Sequence, residues 1–323
     1  METARRRTLP PVGVRSRFML EVASELVGMR EWPHQQVRLT LREQGGGKWG
    51  PTLFASDSPE VVDEVARGDV QIAIVNPGAI LTLALKGTGP FKEPVPVRAI
   101  TVIQSYDQLV LAVTKETGLT SLDDIKAKKF PLKVSLRGQM DHSIHLVLDE
   151  VLATAGFSLG DIRAWGGEVR YDPGLPGNNP NRTGAVRRGE ANAIFDEGAG
   201  QWTPEALELG MNVLPIEEPK LRALEALGFR RGTLAKADYP ALPADVQTLD
   251  YSGFIVYTHA DVPDDIVRDV CVALEARRER IPRDQGEGPL PLELMCKDTR
   301  EGPIGIPLHP AAERFWKEQG YLS

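Results

Sequence analysis

The stretch Glu64-Val65-Ala66-Arg67-Gly68-Asp69-Val70-Gln71-Ile72-Ala73-Ile74-Val75 reads as the end of a helix, a glycine stop and a buried strand. Ser58-Pro59-Glu60 supply the helix start, with Ser as cap, Pro at the first helical position and an acid in the first turn. Arg67 before Gly68 is the cation-then-glycine ending that the helix dipole and a left-handed cap favour. The apolar run from Val70 to Val75 closes on the turn Asn76-Pro77-Gly78. The same phrase returns in the second half of the chain, where Val186-Arg187-Arg188-Gly189-Glu190 leads into Ala193-Ile194-Phe195 and the polar turn Asp196-Glu197-Gly198. Two copies of helix, glycine stop, buried strand and polar turn predict an α/β protein of two lobes, each an open sheet.

A second pair of phrases says how the lobes join. Gln108-Leu109-Val110-Leu111-Ala112-Val113 is a strand followed by Ser121-Leu122-Asp123-Asp124-Ile125, a capped helix start. Gly253-Phe254-Ile255-Val256-Tyr257 is likewise a strand, and Pro263-Asp264-Asp265-Ile266 opens the helix after it. Read as two hinge strands, these divide the chain into one lobe of residues 1–107 plus 251–323 and a second of residues 108–250. Outward from there, the spacing of Phe18, Met19, Val22 and Leu26 predicts a helix over 16–29. Val37 to Leu41 alternates as a strand and runs into a glycine-rich loop over 44–50. Pro131 to Leu136 is a strand, and Arg137 to Ser143 is a loop entering a helix with Ile144, Val147, Leu148, Val151 and Leu152 on one face. The Gly-, Pro- and Asn-rich stretch from Trp165 to Arg182 predicts a long surface loop. So does 283–307, ahead of a last helix over 310–319.

The bulk numbers narrow the classes. The chain has 323 residues, enough for two lobes, and 41% hydrophobic with 26% charged residues marks a globular protein. A net charge of −7 argues against a nucleic-acid partner, whose phosphates need clustered Lys and Arg. No apolar run is long enough for a transmembrane segment. Cys271 and Cys296 fit no zinc or redox spacing; a disulfide and two buried thiols both stay open. Arg5, Arg6 and Arg7 stand where the basic start of an export signal would. Thr8 to Arg15 offers no apolar stretch or cleavage site after them, so the expectation is a solvated tail and no export address.

With these phrases in place, the chain resembles the TAXI group of solute receptors for tripartite (TRAP-type) transporters, within the type II periplasmic binding protein fold. Four stretches carry the resemblance: Glu64 to Val75, Thr117 to Lys126, Asp261 to Val267, and Ile306-Pro307-Leu308-His309-Pro310-Ala311-Ala312, the last being the most specific. It covers most of the chain beyond residue 56. It departs at the family's early Gly-Ser loop, which has no counterpart before Ser16, and at the missing export signal. The resemblance implies a receptor that closes around a small organic acid, has no cofactor, works with membrane permease subunits and lies in the periplasm. The N-terminus leaves the cytoplasm open as well.

In open α/β sheets, ligands sit beyond the carboxyl ends of the strands, against helix N-termini that favour anions. Three loops qualify. Arg137 offers a fork for a carboxylate, with Gln139, Asp141, His142 and Ser143 beside it; an internal salt bridge for Arg137 is the alternative. Asn76 can donate and accept across the cleft, or simply make a turn. Asp196, Glu197 and Trp202 combine acids with an aromatic wall, suited to an amine or hydroxyl. Lys48 and Trp49 add a fourth candidate pair. Asp141, His142, His145 and Asp149 have metal-ligand types but fit helix-cap and solvent-facing roles, and no metal is assigned. No serine elbow or zinc-protease motif occurs. The competing function is a cytosolic enzyme on the same scaffold, such as a decarboxylase of an aromatic or organic acid.

Overall fold

The computed structural model describes residues 14–30, 36–42 and 49–323. Helix α1 (Val14–Arg30) belongs to one compact unit, and the chain from Gln36 onward forms a second. The second unit begins with β1 (Val37–Arg42), β2 (Trp49–Ala55), α2 (Val61–Ala66), β3 (Ile72–Val75), α3 (Ala79–Lys86) and β4 (Val97–Ile103). Its middle contains β5 (Val110–Thr114), α4 (Leu122–Ala127), β6 (Lys133–Arg137), α5 (Ser143–Thr154), α6 (Leu159–Ala164) and β7 (Glu168–Asp172). There follow α7 (Thr183–Arg187), β8 (Ala193–Asp196), α8 (Ala199–Glu208), β9 (Met211–Val213), α9 (Glu218–Leu227), β10 (Arg231–Leu234) and β11 (Val246–Leu249). The chain closes with β12 (Phe254–His259), α10 (Asp264–Arg277), α11 (Leu292–Met295) and α12 (Pro310–Glu318).

The paired phrases fold alike. Gly68 and Gly189 both take the left-handed backbone, at φ +77° and +70°, with open space where a side chain would sit. Among the described residues, the strands form two five-stranded sheets, β1-β2-β3-β12-β4 and β7-β6-β8-β5-β9, plus the ribbon β10-β11. In the first sheet β2 and β3 run parallel, and β12 enters antiparallel between β3 and β4. In the second, β7, β6 and β8 run parallel, and β5 enters antiparallel between β8 and β9. Each sheet therefore takes in one antiparallel strand from the far side of a crossover. The fold is α/β, with two open sheets.

The crossovers themselves are short. Residues 104–109 and 250–253 run side by side, joined by a bridge between Gln108 and Asp250. Leu109 N donates to Leu249 O at 3.0 Å, Tyr251 N to Asp107 O at 3.0 Å, and Gly253 N to Ser105 O at 2.8 Å.

The central strands of each sheet are covered on both faces, which is why β3, β5 and β12 read as apolar runs. One core packs α4, α5, α6 and α9 on the second sheet, and another packs α7, α8 and the ribbon on its opposite face. The first sheet has a core under α2 and α3, and a separate one under α10, α11 and α12. The last of these holds Cys271 and Cys296, both buried and unbridged. The capped start at Ser121 is present, its side chain accepting from Asp124 N at 3.0 Å.

Three loop expectations need correction. Residues 165–182 contain β7, an edge strand whose polar sequence Glu-Val-Arg-Tyr-Asp hid its pairing with β6. Residues 283–307 carry α11 and the buried Leu290, Leu292, Met295, Ile304 and Ile306. Trp49 and Gly50 open β2, while the rest of the glycine-rich loop lies outside the described residues, as do Arg5 to Arg7. No helix among the described residues is long and apolar enough to cross a membrane.

Trp316 is the measure of the core under the C-terminal helices. It is fully buried, donates Nε1–H to Ile100 O at 2.9 Å and meets the rings of Phe315 and Tyr321. Trp316→Ala should lower unfolding free energy by about 3–5 kcal/mol, read from the urea midpoint at unchanged slope.

Candidate functional site

The carboxyl ends of the strands converge where the two sheets face each other. From the first sheet come Asp57 after β2 and Asn76 after β3; from the second come Arg137 to Ser143 after β6 and Asp196 to Gly198 after β8. The crossovers add Asp107 and Tyr251.

At the centre is a buried charge cluster. Asp196 has no exposed surface, and Arg137 and Arg182 are 1% and 0% exposed. Arg137 approaches side-on, its Nε donating to Asp196 Oδ2 at 3.1 Å and its Nη2 to Oδ1 at 2.8 Å. Arg182 Nη1 donates to Asp196 Oδ2, and Glu197 N to Oδ1 at 2.9 Å. Arg182 is held in turn by Ser135, its Nε donating to Oγ at 3.0 Å, and by Gly174 O at 2.8 Å. Arg137 Nη2 also donates to Glu197 Oε1. Burial works to raise the pKa of Asp196, but the guanidiniums of Arg182 and Arg137 outweigh it and hold the carboxyl below its usual range. Burial likewise opposes the charge on Arg137, and Asp196 and Glu197 overcome it.

Asp107 faces the same cluster from the first crossover. It accepts N–H from Gly198 and Ala199, both at 2.8 Å, at the start of α8. Burial pushes its carboxyl well above the usual range, with the Glu197 carboxylate as the next cause; the two N–H groups pull the other way. The carboxyl groups of Asp107 and Glu197 thus adjoin.

Hydrogen bonds join the two sheets beside this cluster. Ser143 N donates to Asp57 O at 3.0 Å, and Ser143 Oγ to Asn76 O at 2.6 Å. Ser143 Oγ also meets Tyr251 OH at 2.6 Å. Gln139 Nε2 donates to Asp57 Oδ2 at 3.3 Å, which turns its Oε1 the other way. That oxygen is buried with no hydrogen-bond partner among the described residues.

The candidates from the sequence meet mixed outcomes. Arg137, Gln139, Ser143, Asn76, Asp196 and Glu197 come together, yet the carboxylates on Arg137 are the protein's own. Asn76 gives both amide hydrogens to the second crossover, to Tyr251 O and Gly253 O at 2.8 Å each. His142 is buried rather than solvent-facing, and its Nδ1 accepts from Ile144 N at 3.1 Å, so the histidine caps α5. Burial, then Arg137, lowers its pKa. Asp141 is exposed, and its Oδ2 accepts from Gln36 Nε2 at 3.4 Å. Trp202 forms no pocket wall: it is fully buried on the inner face of α8, its Nε1 donating to Glu197 O at 2.8 Å. Trp49 begins β2, and Lys48 lies outside the described residues. Asp107, Arg182 and Tyr251 were not anticipated. A hollow of about 540 Å³ beside the crossovers, lined by Tyr106, Gln108, Arg230, Asp238, Asp250 and Arg300, was not anticipated either. Its Arg300 is tied to Asp238 at 2.6 Å.

Strand order and crossovers define a two-sheet α/β protein with a polar site between the sheets. No family model matches the chain. Among solved structures it is similar to the alkanesulfonate-binding protein SsuA of Xanthomonas axonopodis pv. citri bound to MOPS, at 14% identity and TM-score 0.33, over 68% of this chain and 59% of that one. It is similar to the glycine betaine/L-proline-binding protein ProX of Borrelia burgdorferi, at 10% identity and TM-score 0.37, over 65% and 64%. It is also similar to a Xanthomonas citri protein bound to ATP, at 11% identity and TM-score 0.40, over 80% and 79%. The chain spans less than two thirds of the length of the first two.

The Asp107 carboxyl makes a signed prediction. A carboxyl with a raised folded-state pKa contributes its full stability below the ordinary carboxylate range and loses it as pH climbs toward the folded value. Asp107→Asn has no such loss. Wild-type stability relative to this variant should fall as pH rises above the ordinary carboxylate range, by at most about 1.4 kcal/mol per pH unit, in urea titrations at successive pH values.

Proposed function

We propose that the protein is a solute receptor whose two lobes, divided at the crossovers near Asp107 and Tyr251, close on a small polar molecule without transforming it. The observation that carries this reading is Ser143. One residue at the start of α5 on the second sheet reaches Asp57, Asn76 and Tyr251, so the closed state is held by contacts that opening would break. Paired short crossovers are a hinge in form, since few residues have to absorb the rotation. The buried Gln139 Oε1 suits a hydrogen-bond donor on the ligand, and Arg137 suits a carboxylate. An organic acid bearing a hydroxyl or amino group meets both. The resemblance to TAXI receptors at Ile306 to Ala312 supports a tripartite transporter as the destination, with permease subunits as partners and the periplasm as the compartment.

Thermal shift against a panel of small hydroxy-, amino- and aromatic carboxylic acids tests the reading. At least one acid should stabilise the protein and be recovered unchanged. Ser143→Ala, losing about 1 kcal/mol of closure, should bind it about 5-fold more weakly by calorimetry. Conversion of the acid to a product would favour the enzyme instead, and a panel without any binder would end the carboxylate reading.

A further inference from the structure

We infer that Glu197 is a built-in stand-in for the ligand: its carboxylate occupies the Nη2 of Arg137 that a bound carboxylate would take, and its withdrawal opens the site to a small carboxylate. This rests on the receptor reading for the place where ligand enters.

Charge balance makes the first argument. Two guanidiniums, Arg137 and Arg182, close on one carboxylate, Asp196. Asp172 nearby is matched by Arg170 at 3.4 Å and by Ser135 Oγ at 2.8 Å. One positive charge is left over, and Glu197 neutralises it. A buried cation without an anion is costly, so if Glu197 leaves, another anion is needed in the same place.

Exposure supports the same reading. The side chain of Glu197 is 14% exposed, against 0% for Arg182 and Asp196 and 2% for Arg137. It is the most exposed of these four side chains. Its backbone is fixed, since its carbonyl accepts from Trp202 Nε1 and its N–H donates to Asp196. A rotation about side-chain bonds alone would therefore release one N–H of Nη2 while the other stays on Asp196. The Arg137–Asp196 fork does not involve Glu197, and it keeps the guanidinium in place after the exchange.

Acetate is the fragment that Glu197→Ala removes, and it is the probe. Wild type, Glu197→Ala and Glu197→Gln are melted with sodium acetate or with sodium chloride at equal ionic strength. Acetate should raise the midpoint of the Ala variant by about 3 °C or more at saturation, and leave wild type unmoved. Glu197→Gln keeps the shape and removes the charge, so it carries the test if the Ala variant does not fold. Its apparent acetate affinity should exceed that of wild type at least ten-fold. Equal shifts in all three proteins, or none, overturn the inference. Binding of a panel acid by wild type without acetate rescue ends this inference alone; rescue without any panel binder ends the receptor reading alone.

Discussion

The whole site hangs on one carboxylate without exposed surface. Asp196 stays ionised because Arg137, at the end of β6, and Arg182, ahead of α7, both close on it. An isolated charge at that depth would be neutralised or expelled, and the pair of guanidiniums prevents it. In doing so they fix the ends of β6 and β8 and the turn into α7 relative to one another. Glu197, next in the chain, is held beside Arg137 by this arrangement.

The crossovers depend on the same point. Asp107 leaves the first crossover to accept the first N–H groups of α8, directly after the cluster. Tyr251 leaves the second crossover to meet Ser143, and Asn76 ties the first sheet to Tyr251 and Gly253. Charge cluster, crossovers and closing contacts are therefore contiguous, and they share one region of the fold.

Much of the fold was legible because punctuation and burial coincide. Gly68 and Gly189 sit where a left-handed cap is required, and the runs after them are buried on both faces and so apolar throughout. The edge strand β7 escaped because half of its surface is solvent and its sequence is polar. At the site, sequence pointed to the right loops and the wrong partners. Arg137 and Asp196 lie far apart in the chain and meet only through the parallel neighbours β6 and β8. Arg182 was hidden in a Gly-, Pro- and Asn-rich segment that composition marks as surface, although the residue is wholly buried. Trp202 read as a wall because an aromatic beside acids suits a pocket; its position one turn into α8 turns it into the core instead.

A double-mutant cycle on Arg182→Met and Asp196→Asn tests the central claim most directly. Each single variant should lose about 3–5 kcal/mol of unfolding free energy, and the double variant at least about 2 kcal/mol less than the sum. Losses that add to within about 0.5 kcal/mol would show two residues acting independently, and would contradict a shared buried charge as the foundation of the site.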